Sequence, residues 1–294
     1  MARGRIPYIQ LARGEILRYF EKSRQRVFSE NDLGRVLAQG RDEWRLPQRM
    51  TVGRFIEFLE AKGRLQRLSI ESAKQPGRLL TRYGWGEPSV LEVALSLKKR
   101  SYLCHASAAF VQGLTDQLPR RVYANFEQAS EGGGSGLSQN AIHAAFRRQQ
   151  RQTSLIFSYG EREILLLNGK NTGRLEVSSM EFDNYRVSVT KLERTLIDLA
   201  VRPAYGGGVY QVIEAFERAR ERVAFPVLLA TLKRLNYVYP YHQAIGFYLE
   251  RTGYAAAQYE RLRGLGLKYD FYLAHAMQEK RFVPEWRLYV PKDL

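Results

Sequence analysis

The stretch "VTKLERTLIDLAVRPAYGGG", residues 189–208, sets Glu193, Arg194, Asp198 and Arg202 close together beside a run of glycines. Charges that dense can form a catalytic constellation, a partner surface, or a helix whose side chains pair with one another. A metal nuclease of the common kind needs an acidic residue and then Glu-x-Lys on a neighbouring strand, to hold Mg²⁺ and polarise water. The chain's one Glu-x-Lys, Glu60-Ala-Lys62, falls inside a helical pattern instead. Glu176, Glu181 and Asp183 cluster without a paired base. No Gly-x-x-x-x-Gly-Lys phosphate loop occurs, and Gly206–Gly208 follow a Pro-Ala-Tyr turn rather than a strand. Cys104 and His105 are sequence neighbours, whereas a nucleophile and its base are usually brought together by the fold, so they read as a buried structural pair. The expectation is a chain with no catalytic residue, no metal and no cofactor.

The charged run has a sufficient explanation as a helix. Thr190 and Glu193 stand in capping-box spacing, which predicts that Glu193 bonds back to the Thr190 N–H. Leu192, Leu196, Leu199 and Ala200 form an inward stripe, while Arg194, Asp198 and Arg202 lie four apart and can pair in series. Pro203 stops the helix. Arg194 and Arg202 remain the residues of this segment that could face a partner.

With those chemistries set aside, bulk charge is the strongest signal. The 294 residues carry a net charge of +16, and residues 1–86 hold two basic residues for every acidic one. Basic proteins attract polyanions, and a basic front end points to nucleic acid. A single cysteine and four scattered histidines exclude a disulfide framework or a Cys/His zinc site and suit a reducing cytoplasm. No apolar run approaches the ~18 residues of a membrane helix. The start, "MARGRIPYIQL", has no apolar signal core; Arg3 and Arg5 make it a basic arm.

The elements of residues 1–86 predict a winged helix-turn-helix. Ile9, Leu11, Ile16, Leu17 and Phe20 recur at helical spacing, through about Gln25. Ser29 caps a second helix and Thr51 a third, which Gly63 ends. Two strand-like runs then flank a Lys-Gln-Pro-Gly turn. A recognition helix presents its N-terminal residues to base edges. The expected DNA-binding residues are Arg45, Gln48, Arg49, Thr51 and Arg54, with Lys74 and Arg78 at the ribbon tip and Arg3 and Arg5 in the arm. Arg54 is the best choice for a guanine contact, because its forked guanidinium matches two major-groove acceptors. Glu57 and Glu60 on the same helix would repel phosphate and limit insertion to the first turn.

Residues 87–294 predict a mixed α/β domain ending in a helical region, so the whole chain is α+β. Helices are expected at "SVLEVALSL", "HASAAFVQGL" and "NAIHAAFRRQQR", strands at "RRVYANF", "SLIFSY", "REILLLNG" and "YRVSVT", and four helices near 190–201, 207–222, 225–235 and 241–252. "YDFYLAHA" and "EWRLYVP" close the chain. The Gly/Ser stretch 131–136 reads as a loop. In "YVYPYHQAIGFYLERTGY", Tyr241, Ile245, Tyr248 and Leu249 fall at core spacing, which outweighs a base-stacking platform, and His242 reads as a hydrogen-bonded structural residue.

"VTKLERTLIDLAVRPAYGGGVYQVIEAF", "SYLCHASAAFVQGLTDQLPRRVYANFEQ" and "YVYPYHQAIGFYLERTG" together resemble the AbiEi family of bacterial antitoxins, across nearly the whole chain. The family pattern has Ser before the His where this chain has Cys104. The resemblance implies an N-terminal winged helix that binds inverted repeats in its own promoter and represses the operon. It implies a C-terminal antitoxin domain that neutralises a nucleotidyltransferase toxin encoded alongside, classically without a stable complex. By motif, the DNA-binding positions fall on Arg49, Thr51, Arg54, Arg78 and their neighbours, and no catalytic residue is carried over. The rival readings are an inhibitor that binds the toxin directly with little use of DNA, and a phage-defence nuclease.

Overall fold

The computed structural model describes residues 8–75, 77, 79–128 and 136–294. Arg3, Arg5, Arg78 and residues 131–135 of the Gly/Ser stretch lie outside the described residues.

The first elements are α1 (Tyr8–Leu11), α2 (Arg13–Lys22), β1 (Val27–Phe28), α3 (Glu30–Gly40), α4 (Val52–Lys62), β2 (Leu65–Ser72) and β3 (Leu79–Trp85). Ser29 caps α3 in a reciprocal box with Asp32, and the Thr51 hydroxyl accepts the Arg54 N–H at 3.3 Å to start α4. Gly63 ends α4 because nothing larger fits: a Cβ there would lie 2.8 Å from the Leu59 carbonyl and 2.9 Å from the Trp85 ring. Phe20, Phe28, Phe55, Trp44 and Trp85 fill the core between these elements, with Phe20 stacked on Trp85 at a centroid distance of 4.9 Å. The first helical run ends at Lys22 rather than near Gln25, because Arg24 to Arg26 lead straight into β1.

Next come α5 (Val90–Ser96), β4 (Tyr102–Leu103), α6 (His105–Val111), β5 (Arg121–Gln128), α7 (Gln139–Arg147), β6 (Ile156–Tyr159), β7 (Arg162–Lys170), β8 (Val177–Phe182) and β9 (Tyr185–Thr190). One sheet takes them in with the earlier strands, in the order β1-β3-β2-β6-β7-β5-β4-β9-β8. β5 and β7 run parallel, from Arg121↔Glu163 to Gln128↔Lys170, joined by a crossover through α7 and β6. The period of two decides what each face meets. Val122, Ala124, Ile164 and Leu166 pack against α5 and α6 on one side. Tyr123, Leu165 and Leu167 turn to the other side, towards Tyr205.

The sheet is continuous across residue 86. Glu71 pairs with Ser158 and Ser72 with Phe157, so β2 of the first ribbon is hydrogen-bonded to β6. Leu68 and Ile70 share a core with Val122 and Val187. Arg26 strengthens the junction: its guanidinium meets the buried Glu92 carboxylate of α5 at 2.8 Å and the Glu87 carbonyl at 2.8 Å.

The helical region holds α8 (Leu192–Val201), a 3₁₀ turn at Pro203–Tyr205, α9 (Val209–Ala219), α10 (Phe225–Leu235), α11 (Tyr241–Arg251) and α12 (Ala256–Arg263). A small sheet follows, in the order β10 (Phe271–Tyr272), β12 (Leu288–Pro291), β11 (Lys280–Val283). The whole is a mixed α+β architecture, and among the described residues no helix is long and apolar enough to cross a membrane. Trp286 pins the small sheet to α11: it is fully buried and its Nε1–H donates to the Glu250 carboxylate. Gly246 makes the room, since a Cβ there would come within 2.1 Å of the indole. Gly246→Ala is therefore expected to lower stability by about 1–3 kcal/mol through overpacking, read as a lower urea midpoint with an unchanged slope.

Candidate functional site

Arg45, Gln48, Arg49, Thr51 and Arg54 are all exposed, in the turn between α3 and α4 and in the first turn of α4. The turn is held from within. The Arg41 guanidinium donates to the carbonyls of Pro47 at 2.6 Å and Met50 at 3.2 Å. Trp44 is buried against Gly40, where any Cβ would meet its ring at 2.5 Å. Arg45 sits in the left-handed region at φ +50°. None of Arg45, Arg49 and Arg54 forms an ion pair among the described residues, which leaves their charge free for an anion. Glu57 is exposed further along α4, but Glu60 is drawn to Arg67 at 3.5 Å, so the repulsion expected from both rests mainly on Glu57. Lys74 is exposed at the ribbon tip, yet the tip is not a free wing: the neighbouring Ala73 N–H donates to the Ile156 carbonyl at 2.9 Å.

α8 departs from expectation. Its N-cap is Lys191, with no side-chain cap, and Glu193 does not bond back to Thr190. Glu193 instead accepts the Ala224 N–H at 2.9 Å, answering a free donor at the start of α10. Thr190 is engaged otherwise, its hydroxyl 2.8 Å from that of Thr195. Arg194 and Asp198 do pair, at 2.8 Å, and Arg194 also donates to the Leu175 carbonyl at 3.1 Å. The series stops there. Arg202 turns to the Tyr205 ring, 5.4 Å from its centroid, with a long 3.5 Å contact to the hydroxyl. Arg194 is only 6% exposed, which corrects its assignment to a partner-facing surface: the fourfold spacing that faces it to Asp198 also turns it inward. Arg202 is half-buried.

Arg194, Asp198 and Arg202 reach a cleft of ≈ 980 Å³ between the second face of the large sheet and the helical region. Tyr102, Asn125, Arg151, Lys170 and Thr172 contribute from the sheet and its connections, and Tyr237, Tyr239 and Tyr241 from the start of α11 and the turn before it. Asn125 donates to the Tyr102 hydroxyl at 2.7 Å, and that hydroxyl bonds to Glu127 at 3.2 Å. Tyr241, Ile245, Tyr248 and Leu249 are core, as their spacing predicts, and His242 bonds the Gly266 carbonyl at 2.8 Å. Tyr237, Val238, Tyr239 and Tyr241 are the part of that motif that lines the cleft.

Cys104 and His105 are both buried, and burial pushes the Cys104 thiol up. His105 is not a satisfied structural histidine. Its Nδ1 has no hydrogen-bond partner among the described residues, and its backbone is left-handed at φ +50° on the first residue of α6. Burial, reinforced by Arg202 and Arg194, lowers its pKa to about 3, so the ring is neutral. Burial likewise raises the Asp198 carboxyl, with Arg194 only partly offsetting it. Among the described residues no group of His, Cys, Asp and Glu is placed to hold a metal ion. None of these cleft residues beyond the α8 motif was legible as a set, because they are drawn from positions between Tyr102 and His275.

This α+β architecture, a nine-stranded sheet joined to a bundle of helices, is a known fold. The chain is similar to the crystal structure of the Rv2827c protein from Mycobacterium tuberculosis, with a TM-score of 0.56 over 97% of this chain and 92% of that one, at 16% sequence identity. At that identity the likeness is one of fold. No protein-family model matches the chain, and no curated protein matches it.

Two outcomes follow from the buried charges. Asp198→Ala should cost about 3–5 kcal/mol, because it strands Arg194 without a counter-charge, whereas Asp198→Leu with Arg194→Met should cost clearly less; denaturant titration of the three proteins checks it. For His105, the unfolded chain binds a proton below pH 6.5 that the folded chain refuses until about pH 3. Stability is therefore lost on acidification across that window, by up to about 1.4 kcal/mol per pH unit. His105→Asn, which tolerates the left-handed backbone, should flatten the acid arm of stability against pH; an unchanged arm would rule the assignment out. His242 and His275, both lowered by burial, contribute in the same direction, and Asp198 in the opposite one, so the comparison with the parent protein isolates His105.

Proposed function

We propose that this protein is a non-enzymatic antitoxin that binds promoter DNA through residues 1–86 and represses its own operon, while residues 87–294 neutralise a nucleotidyltransferase toxin. The single observation that carries the DNA-binding half is the exposed cluster of Arg45, Arg49 and Arg54 around the capped start of α4, with no acidic partner among the described residues. We read α3, α4 and the β2–β3 ribbon as a winged helix-turn-helix, with α4 as the recognition helix and Thr51 and Gln48 beside the arginines. The net charge of +16 adds the long-range attraction that such a module needs. Its target, the chain's own promoter, puts its work in the cytoplasm. The toxin-directed half rests on the sequence resemblance to AbiEi antitoxins.

Binding to DNA from upstream of the gene, followed by fluorescence anisotropy, tests the first half. Affinity should fall steeply with salt. Arg54→Ala should cost about 1–3 kcal/mol on the cognate site and much less on unrelated DNA, while Lys74→Ala should weaken both alike. Equal losses on both DNAs for Arg54→Ala would remove its role in base readout. Co-expression with a nucleotidyltransferase toxin encoded beside the gene tests the second half: growth should be rescued by the intact chain, and the absence of such a gene counts against the reading.

A further inference from the structure

We propose that the cleft beneath α8 is a binding site for a free nucleoside phosphate, with Arg202 and Arg151 taking the phosphate and the tyrosine-lined wall taking the base. This site is independent of the DNA-binding reading.

The charge inventory calls for an anion. Arg151, Lys170, Arg194 and Arg202 line the cleft, and Asp198 is the one carboxylate lining it among the described residues. Asp198 is already engaged by Arg194. Arg202 and Arg151 make no ion pair among the described residues. Tyr205 ties the two segments together, its hydroxyl contacting the Arg202 guanidinium at 3.5 Å and the Arg151 backbone carbonyl at 3.4 Å. A forked guanidinium with free N–H donors, half-buried so that water competes poorly, is the group that holds phosphate oxygens most strongly.

His105 adds a strained, buried ring to the same wall. It is more than nine-tenths buried, lines the cleft, leaves Nδ1 without a partner among the described residues and carries a left-handed backbone. A buried donor or acceptor left unmade costs about 1–3 kcal/mol, and backbone strain of this kind collects at binding sites.

The rest of the wall selects a planar ring. Tyr205, stacked on Tyr123 at 5.0 Å and edge-on to His105 at 5.3 Å, carries Arg202 over its ring and so positions that guanidinium. Tyr237 and Tyr239, each packed edge-on against Tyr241, form the aromatic wall. Gln150 and Gln152 add amides to the lining. The volume is at the upper end of small-ligand sites, which run from about 300 to 1,000 Å³, and so holds a nucleotide with water. A second depression, beside Arg120 and Arg162, is less suitable, because there Arg121 is already paired with Glu163 at 2.8 Å.

The test is calorimetric titration of the full chain with AMP, GMP, CMP and UMP, with adenosine, guanosine and inorganic phosphate as controls. At least one nucleotide should bind and raise the melting temperature, with its nucleoside and phosphate each weaker by roughly tenfold or more. Arg202→Gln and the exposed Arg151→Gln should each reduce that affinity by roughly tenfold, with folding checked by circular dichroism, and Arg54→Ala should leave it unchanged. Absence of binding by all four nucleotides at millimolar concentration overturns the proposal. So does binding that survives both cleft substitutions in folded protein, or that is lost with Arg54→Ala. A 5′-phosphorylated oligonucleotide that binds in the cleft where mononucleotides do not also overturns it, in favour of a strand end.

Discussion

A helix enclosed on every side cannot leave a charge unanswered, and α8 carries Glu193, Arg194 and Asp198 where water scarcely reaches. Each answer fixes a different part of the molecule. Glu193 sets the start of α10, Arg194 grips the Leu175 carbonyl ahead of β8, and Asp198 holds Arg194 in that pose. Thr195 reaches back to the Thr190 carbonyl at 3.1 Å, tying the helix to the end of β9. With Leu196, Ile197 and Leu199 filling the core around it, α8 is the post to which the sheet and the other helices are fastened.

That post also shapes the cleft. Pairing Arg194 with Asp198 leaves Arg202, one turn on, without a carboxylate among the described residues, and Pro203 then ends the helix so that Arg202 lies over the buried Tyr205 ring at the cleft. α6 packs beside α8 and brings His105 to the same rim. The chain thus concentrates positive charge in two unlike settings: an outer one around the start of α4, exposed to solvent, and an inner one lining the cleft.

Much of the fold was legible because its cues are local. Ser29 and Thr51 cap the helices their spacing promised, and Gly160, at φ +57°, turns β6 into β7. What escaped was weakly periodic or non-local. β8, "VSSMEF", is a half-buried edge strand, and α12 buries only Leu262, so neither shows a strong pattern. Glu193 misled because Thr-x-x-Glu is a local signal, whereas a buried carboxylate takes the donor that the tertiary fold supplies, here 31 residues away. Of the candidate site, the exposed arginines of α4 could be read from cap and spacing. The cleft could not, since no periodicity ties Asn125 to Arg202 or marks His105 as unpartnered.

The ladder between β2 and β6 gives the composition boundary near residue 86 a different physical meaning. A cut there would leave two raw edges: β2 would expose its backbone groups along one side, and β6 would lose its neighbour, each then a template for pairing with another chain. Glu92 would be left without Arg26, and the core shared by Ile70 and Val122 would be opened. Charge divides the chain at that point, but stability does not. The shared ladder and core make one cooperative unfolding unit of the two halves the expectation.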